Sequence, residues 1–84
     1  MISSQVFGDA LDERRRQDEK WGEQNHTQME WLAILMEEVG EYTQEILRNH
    51  FGKRDNLPTL YAELTQVAAV ALAAMESMRR NELS

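Results

Sequence analysis

Acidic side chains with helical spacing are the residues in this sequence best suited to chemistry. The stretch Glu37-Glu38-Val39-Gly40-Glu41 carries three of them, and Glu45 follows four residues later. Because a helix turns about 100° per residue, these four carboxylates lie within about 100° of one another on one face. Glu63 stands apart, inside a segment that is otherwise largely apolar. If the two helices pack side by side, Glu63 would face the first group.

The apolar surroundings of Glu63 indicate what chemistry these carboxylates would perform. Its own helical face carries small apolar residues, and desolvating an unpaired carboxylate costs several kcal/mol. Glu63 is therefore expected to be protonated, paired with Arg48 or Arg54, or bound to a metal. If it faces Glu38 and Glu41, a hard divalent cation resolves the repulsion between the three carboxylates. Mg²⁺, with Mn²⁺ as an alternative, would leave coordination positions free for phosphate oxygens.

The hydropathy pattern predicts an all-α fold, a single domain over residues 1–84 with three main helices. We expect helices at 4–20, 28–49 and from 57 or 58 to 79. Thr27 and Glu30 fit a capping box at the start of the second helix, and Pro58 fits the first turn of the third. The second helix also carries an apolar arc that is expected to dock on a partner helix: Leu32, Leu35, Met36, Val39, Tyr42, Ile46 and Leu47.

The apolar composition of the third helix predicts a homodimer. It is apolar in nearly every helical direction, so two short helices cannot cover it. A chain of 84 residues buries only about 60% of its unfolded surface and, without cysteine, gains nothing from disulfides. We expect the third helix at a subunit interface, in a bundle of four or more helices, with a dimer of dimers left open. The methionines, including Met29, Met36 and Met75, are expected to fill the core.

Charge and composition exclude several function classes. The net charge of −6 argues against binding to a nucleic-acid polymer, which requires many basic contacts with phosphate. The longest apolar run, Val67 to Met75, is far shorter than the roughly 20 residues of a membrane span. The start of the chain does not resemble a signal peptide. We expect a cytoplasmic protein without a membrane segment, whose phosphate chemistry would depend on a metal.

Two groups of residues resemble a known family. The pattern Glu37-Glu38-x-x-Glu41, followed by Glu63-x-x-Gln66, resembles the EExxE and ExxD signature of the all-α nucleotide pyrophosphohydrolases. That superfamily includes MazG, the dimeric dUTPases and phosphoribosyl-ATP pyrophosphohydrolase. The stretch from Arg16 to Gly22 and the tract 66–70 are similar to short MazG-like proteins of phages and bacterial mobile elements. The resemblance covers about residues 14–76.

The resemblance implies an Mg²⁺-dependent enzyme that hydrolyses a nucleoside triphosphate between the α and β phosphates. The products would be a monophosphate and pyrophosphate, as in house-cleaning of the nucleotide pool. Glu38, Glu41 and Glu63 would bind the metal, and Glu37 would orient or deprotonate the attacking water or bind a second metal. Gln66 stands where the signature has aspartate; an amide offers an oxygen without a charge and so weakens Mg²⁺ binding.

Loop residues are the candidates for binding the substrate. Trp21 could stack on the base, Asn25 could hydrogen-bond to the base or sugar, and Lys53 with Arg54 could hold the outgoing pyrophosphate. Trp21 is also open to a plainer interpretation, as a core aromatic that closes the first helix. The alternative function is a non-catalytic, dimeric helical module that binds a nucleotide or another protein. Gln66 favours this alternative because it removes a charge from the predicted site.

Overall fold

The computed structural model describes residues 2–52 and 55–83, which form three α-helices and no strand. Helix α1 spans Ser4–Trp21, α2 spans Gln28–Gly52 and α3 spans Leu57–Asn81. The prediction of an all-helical chain with three helices is confirmed, and α2 and α3 extend two or three residues beyond their predicted ends. Lys53 and Arg54, which were predicted to hold pyrophosphate, lie outside the described residues.

Local sequence signals fix the helix ends. At the start of α2, the Glu30 amide donates to the Thr27 hydroxyl at 3.2 Å and the Thr27 amide donates to the Glu30 carboxylate at 2.8 Å. The predicted capping box is therefore present. Helix α1 ends at Gly22, whose φ of 73° lies in the left-handed region that favours glycine. Pro58 lies in the first turn of α3, as predicted.

Helix α3 is the central element of the fold. It packs against α1 on one side and α2 on the other, whereas α1 and α2 do not pack on each other within the described residues. The buried apolar side chains are Trp31 on α2 and Ala69 and Val70 on α3. The core is therefore a short strip along α3, and the space between α1 and α2 remains open.

A buried arginine joins α1 to α3. Arg14 is 8% exposed, and its guanidinium donates to Glu76 at 2.7 and 3.3 Å and to Asp18 at 3.0 Å. Hydrogen bonds to the Glu76 carboxylate raise the pKa of Arg14 above its usual value. Arg14 therefore supplies a charged anchor where the apolar stripe of α1 is weak.

A polar contact also joins α2 to the start of α3. The Asn56 side chain donates to the Glu45 carboxylate at 2.8 Å and accepts from Asn49 at 2.6 Å. Arg48 donates to the same Glu45 carboxylate. This network fixes the turn between the helices and occupies Glu45, so that Glu45 is held in a structural contact.

Large apolar side chains remain exposed to an unusual extent. Leu32, Met36 and Leu47, from the arc of α2 that was expected to dock on a partner helix, are each about half exposed. Met29 and Met75 are exposed as well, so these methionines do not fill the core of this chain as predicted. The more buried side of α2 carries Trp31 and Glu38 together with three other members of that arc, Leu35, Val39 and Tyr42, which are half-buried.

The accessible surface measures this exposure. The chain exposes 6385 Å², whereas a folded monomer of 9.8 kDa exposes about 5,200 Å² by the scaling of surface with mass. The excess of about 1,200 Å² per chain is consistent with surfaces that a partner covers. By length and composition alone α3 could also cross a membrane, a criterion that core helices of soluble proteins meet too. The absence of a membrane segment therefore stays a prediction.

Candidate metal centre

Three carboxylates from two helices converge beside the core strip. Glu38 and Glu41 lie one turn apart on α2, and Glu63 lies on α3. One carboxylate oxygen of each lies within 4.8 Å of those of the other two. Glu38 and Glu63 are partly buried, and Glu41 is exposed. The structure thus brings together the three residues that the family resemblance assigned to a metal, and we call them the carboxylate cluster.

The cluster is electrostatically unbalanced. The Oε2 atoms of Glu38 and Glu63 are buried and have no hydrogen-bond partner among the described residues. Burial raises the pKa of Glu38, and the neighbouring carboxylates of Glu41, Glu63 and Glu37 raise it further. Burial also raises the pKa of Glu63, with further contributions from Glu41 and Glu45. Like charges in a partly desolvated site favour either protonation or a bound cation.

The possibility that an arginine neutralises Glu63 finds no support in Arg48. Arg48 donates to Glu45, one turn earlier on α2. Arg54, the other candidate partner, lies outside the described residues. Two buried oxygens without partners among the described residues, together with a third carboxylate open to solvent, form the all-oxygen donor set that Mg²⁺ or Mn²⁺ prefers. The residues therefore fit such an ion, and metal binding itself stays a prediction.

Two other acidic or amide residues of the predicted site stand apart from the cluster. Glu37 is exposed and does not join the group of three, although it is close enough to raise the pKa of Glu38. Gln66 lies half-buried one turn after Glu63 on α3 and makes no side-chain hydrogen bond with the part of the chain that is described. Its amide is therefore free for a ligand.

A cleft of about 620 Å³ extends from the cluster between α1, α2 and α3. Glu38 belongs both to the cluster and to the lining of this cleft. The lining also includes two indole rings, Trp21 and Trp31, and two guanidinium groups, Arg14 and Arg80. The cleft therefore places aromatic and cationic groups beside a candidate metal site, within the volume range of small-molecule sites.

The two tryptophans of the cleft have opposite environments. Trp21 is 62% exposed at the end of α1, with the Lys20 ammonium 4.8 Å from its ring centre. Its interpretation as a core aromatic is therefore wrong. The core aromatic is Trp31, which is 5% exposed and makes an edge-to-face contact with His26. Trp31 lies two helical turns before Glu38, so the two residues share a face of α2. This spacing was a signal available in the sequence for placing Trp31 beside the site.

Asn25 occupies a structural position. Its side-chain oxygen accepts hydrogen bonds from Arg80 at 3.1 Å and from Asn81 at 2.7 Å. These contacts hold the loop between α1 and α2 against the end of α3, and Asn25 is not part of the cleft lining. Sequence reasoning did not identify Arg14 or Arg80 as cleft residues, because their role depends on partners more than fifty residues away in the chain.

Comparison with known proteins found no matching family model, no matching curated protein and no matching solved structure. The family resemblance therefore stands on the sequence motifs, and the structural features that bear on function are the cluster and the cleft.

Proposed function

We propose that this protein is an Mg²⁺-dependent nucleoside triphosphate pyrophosphohydrolase. The observation that carries the proposal is the carboxylate cluster, in which two helices bring Glu38, Glu41 and Glu63 within 4.8 Å at the edge of a cleft. The reaction consumes one water and breaks the α–β phosphoanhydride bond, giving a monophosphate and pyrophosphate. The acidic surface would repel a bare triphosphate, so the reaction needs a cation between the two.

Glu38, Glu41 and Glu63 are the residues that would hold the ion, and Mn²⁺ could take the place of Mg²⁺. Bound there, the ion would neutralise charge on the phosphates and lower the pKa of a water molecule for in-line attack. The buried oxygens of Glu38 and Glu63 supply the negative charge that draws the ion to the site. Glu37, exposed beside them, is the candidate to orient the attacking water or accept its proton.

The cleft suits the nucleoside part of the substrate. The exposed ring of Trp21 can stack on a base, because every base presents a flat aromatic face. Arg14 is held by Glu76 and Asp18 and shapes the wall of the cleft. Gln66, with its free amide, is placed to contact the ion or a phosphate oxygen. Lys53 and Arg54 remain candidates for holding pyrophosphate on the basis of sequence alone.

The proposal includes a homodimer that completes the helical bundle. Helix α3 carries exposed apolar side chains that share one face of the helix, those of Leu57, Tyr61, Leu64 and Met75. Pairing of this face with the same face on a second copy would give a bundle of four or more helices. The excess accessible surface of the single chain supports this arrangement.

A second candidate function is a non-catalytic helical module that binds a nucleotide or another protein. The glutamine at position 66 favours it, because the site then has one charge fewer than the family signature. Such a module could bind the metal and nucleotide without hydrolysis. It could also act only through its exposed apolar surfaces.

Pyrophosphate release from a panel of ribo- and deoxyribonucleoside triphosphates with Mg²⁺ tests the proposal. The wild-type chain is compared with Glu38→Gln, Gln66→Asp and Glu19→Gln, the last a control at an exposed site on α1. Release by wild type and Glu19→Gln but not by Glu38→Gln supports the hydrolase. If wild type is inert and Gln66→Asp gains activity, the binding module is correct. If every variant is inert with every nucleotide, the catalytic proposal is wrong.

A further inference from the structure

A line of exposed, uncharged residues runs along α2 on the side opposite the carboxylate cluster. Its members follow one another at intervals of three or four residues, which keeps them on one strip of the helix surface. Gly40, at the middle of this strip, lies about 160° around the helix from Glu38. The α2 outer stripe, as we call it, consists of Met29, Ala33, Met36, Gly40, Thr43, Leu47 and Phe51, all exposed.

Four members of the outer stripe form two pairs that are symmetric about Gly40, whereas Met36 and Thr43, four residues before it and three after it, do not match each other. Gly40 is the central residue of Gln28–Gly52, with twelve residues on either side. Met29 and Phe51 lie eleven residues before and after it, and Ala33 and Leu47 lie seven residues before and after it. A twofold axis at Gly40 would therefore place Met29 against Phe51 of a second copy, and Ala33 against Leu47, in an antiparallel pair.

One of these two pairs matches a small side chain, Ala33, with a large one, Leu47, whereas Met29 and Phe51 are both large. An antiparallel pair keeps a nearly constant helix separation, because Ala33 meets Leu47 at two places related by the twofold axis. A parallel pair would bring Ala33 against Ala33 and Leu47 against Leu47, which forces the helices apart at one end. Opposed helix dipoles also favour the antiparallel arrangement. The pattern thus fits a second copy in one orientation.

Gly40 has no packing role that requires glycine within the described part of one chain. A Cβ atom at this position would meet nothing within 4 Å, so the fold of one chain does not require glycine here. Glycine inside a helix is unfavourable relative to alanine. A small residue at this position would let the backbone of a second, crossing helix approach closely.

The surface available is large enough for this contact. The chain exposes about 1,200 Å² more than expected for a monomer of its mass. A standard interface covers about 800 Å² per partner. The stripe is continuous, carries no charge and includes Phe51, which is 75% exposed. Thr43 presents no unsatisfied hydroxyl, since it donates to the Val39 carbonyl at 2.8 Å.

We propose that the α2 outer stripe is a self-association surface, on which α2 of a second copy lies antiparallel and crosses at Gly40. The contact leaves the carboxylate cluster open because it uses the opposite side of α2. It is separate from the α3 contact and does not depend on the proposed enzymatic activity. The two contacts together would give a dimer of dimers, and the α2 contact alone gives a dimer.

Single cysteines test the arrangement directly, because the chain contains none. Gly40→Cys should form an intermolecular disulfide under mild oxidation, since residues on the twofold axis fall within the roughly 7 Å Cα separation that a disulfide allows. Ala33→Cys and Leu47→Cys should each remain largely unlinked alone. An equimolar mixture of the two should give a linked heterodimer. Arg15→Cys, exposed on α1, serves as the control.

Two results overturn the proposal. One is a yield for Gly40→Cys no higher than for Arg15→Cys; the other is self-linking of Ala33→Cys as efficient as that of Gly40→Cys, which indicates a parallel pair. Sedimentation equilibrium gives an independent reading that does not involve a disulfide. Met36→Glu and Leu47→Glu should each halve the mass of the wild-type particle, while Arg15→Glu leaves it unchanged. A wild-type chain that is monomeric, or variants with unchanged mass, would contradict the α2 contact whatever the activity assay shows.

Discussion

The carboxylates of Glu38 and Glu63 meet across the contact between α2 and α3, each with a buried oxygen that has no hydrogen-bond partner among the described residues. Without a cation this contact opposes folding, because two partly desolvated negative groups lie close together. A divalent ion bound between them would replace the repulsion of the two carboxylates by the attraction of each to the ion. Stability, ion binding and pH are therefore linked at this one point of the fold.

The first prediction concerns Mg²⁺ and stability. At 100 times its dissociation constant, Mg²⁺ should raise the free energy of unfolding by about 2.7 kcal/mol. Glu63→Gln should remove most of this rise, and without metal it should be at least as stable as wild type because it removes a repulsive charge. Urea unfolding with and without Mg²⁺ measures both effects. Glu19→Gln, at an exposed site on α1, should respond to Mg²⁺ as wild type does; an equal response from Glu63→Gln would argue against the site.

The second prediction is a pH dependence of the metal-free protein. The pKa values of Glu38 and Glu63 are raised in the folded chain, so the folded state keeps protons that the unfolded state has released. The free energy of unfolding should therefore fall as the pH rises from about 4.3, the ordinary glutamate value, through the raised values. Unfolding in a chelator across this range measures the slope.

A double variant, Glu38→Gln with Glu63→Gln, provides the comparison for the pH experiment. It should show a flatter profile than wild type over the same range, because the two groups that retain protons are gone. Mg²⁺ should flatten the wild-type profile from the other direction, by favouring the ionised carboxylates. Identical profiles for wild type and the double variant would show that other groups govern the slope.

The third prediction tests the anchor between α1 and α3. Arg14→Met leaves Glu76 without its partner and should lower the free energy of unfolding by about 1–3 kcal/mol, a range reduced because Glu76 is half exposed. Arg15→Met, which removes an exposed pair with Asp12, should change it by less than about 0.5 kcal/mol. Urea unfolding of both variants measures the difference. Equal effects would show that Arg14 contributes no more than a surface residue.

Some features of this fold could be predicted because their causes are local. Thr27 and Glu30 cap α2 through atoms three residues apart. The family signature assigned Glu63 and Glu38 to one site, and the apolar surroundings of Glu63 indicated that its charge needs a partner. Periodicity also identified an apolar arc on α2. It could not show which neighbour covers that arc, and Leu32 and Met36 remain exposed in the chain.

Other features depend on contacts between distant parts of the chain. Arg14 is buried because Glu76, sixty-two residues later, meets it across the α1–α3 contact. Helical spacing sets Arg14 on the stripe of α1, but it does not identify Glu76 as the carboxylate that pairs with it. Likewise, α3 lies between α1 and α2, and this arrangement leaves the cleft open and Trp21 exposed. Helix propensity carries no information about how three helices are arranged.

The fourth prediction concerns Trp21 and the nucleotide. Trp21→Ala should weaken nucleotide binding by about 1–3 kcal/mol, the range found for loss of one base-stacking ring. It should leave the free energy of unfolding nearly unchanged, because the ring is 62% exposed. Trp21→Phe should retain most of the affinity. Titration of a non-hydrolysable triphosphate in the presence of Mg²⁺ measures the binding, and equal affinity of Trp21→Ala and wild type would exclude stacking on this ring.

The fifth prediction addresses the residue in which this chain departs from the family signature. Gln66 lies one turn after Glu63, with the two Cβ atoms about 5–6 Å apart, so Gln66→Asp would place a fourth carboxylate beside the cluster. The added charge should lower the half-saturating Mg²⁺ concentration about tenfold and should destabilise the metal-free protein by repulsion. Gln66→Asn shortens the side chain in the same way without adding charge, so it should not show either effect. If both variants bind Mg²⁺ alike, side-chain length rather than charge governs this position, and the glutamine does not explain a weaker site.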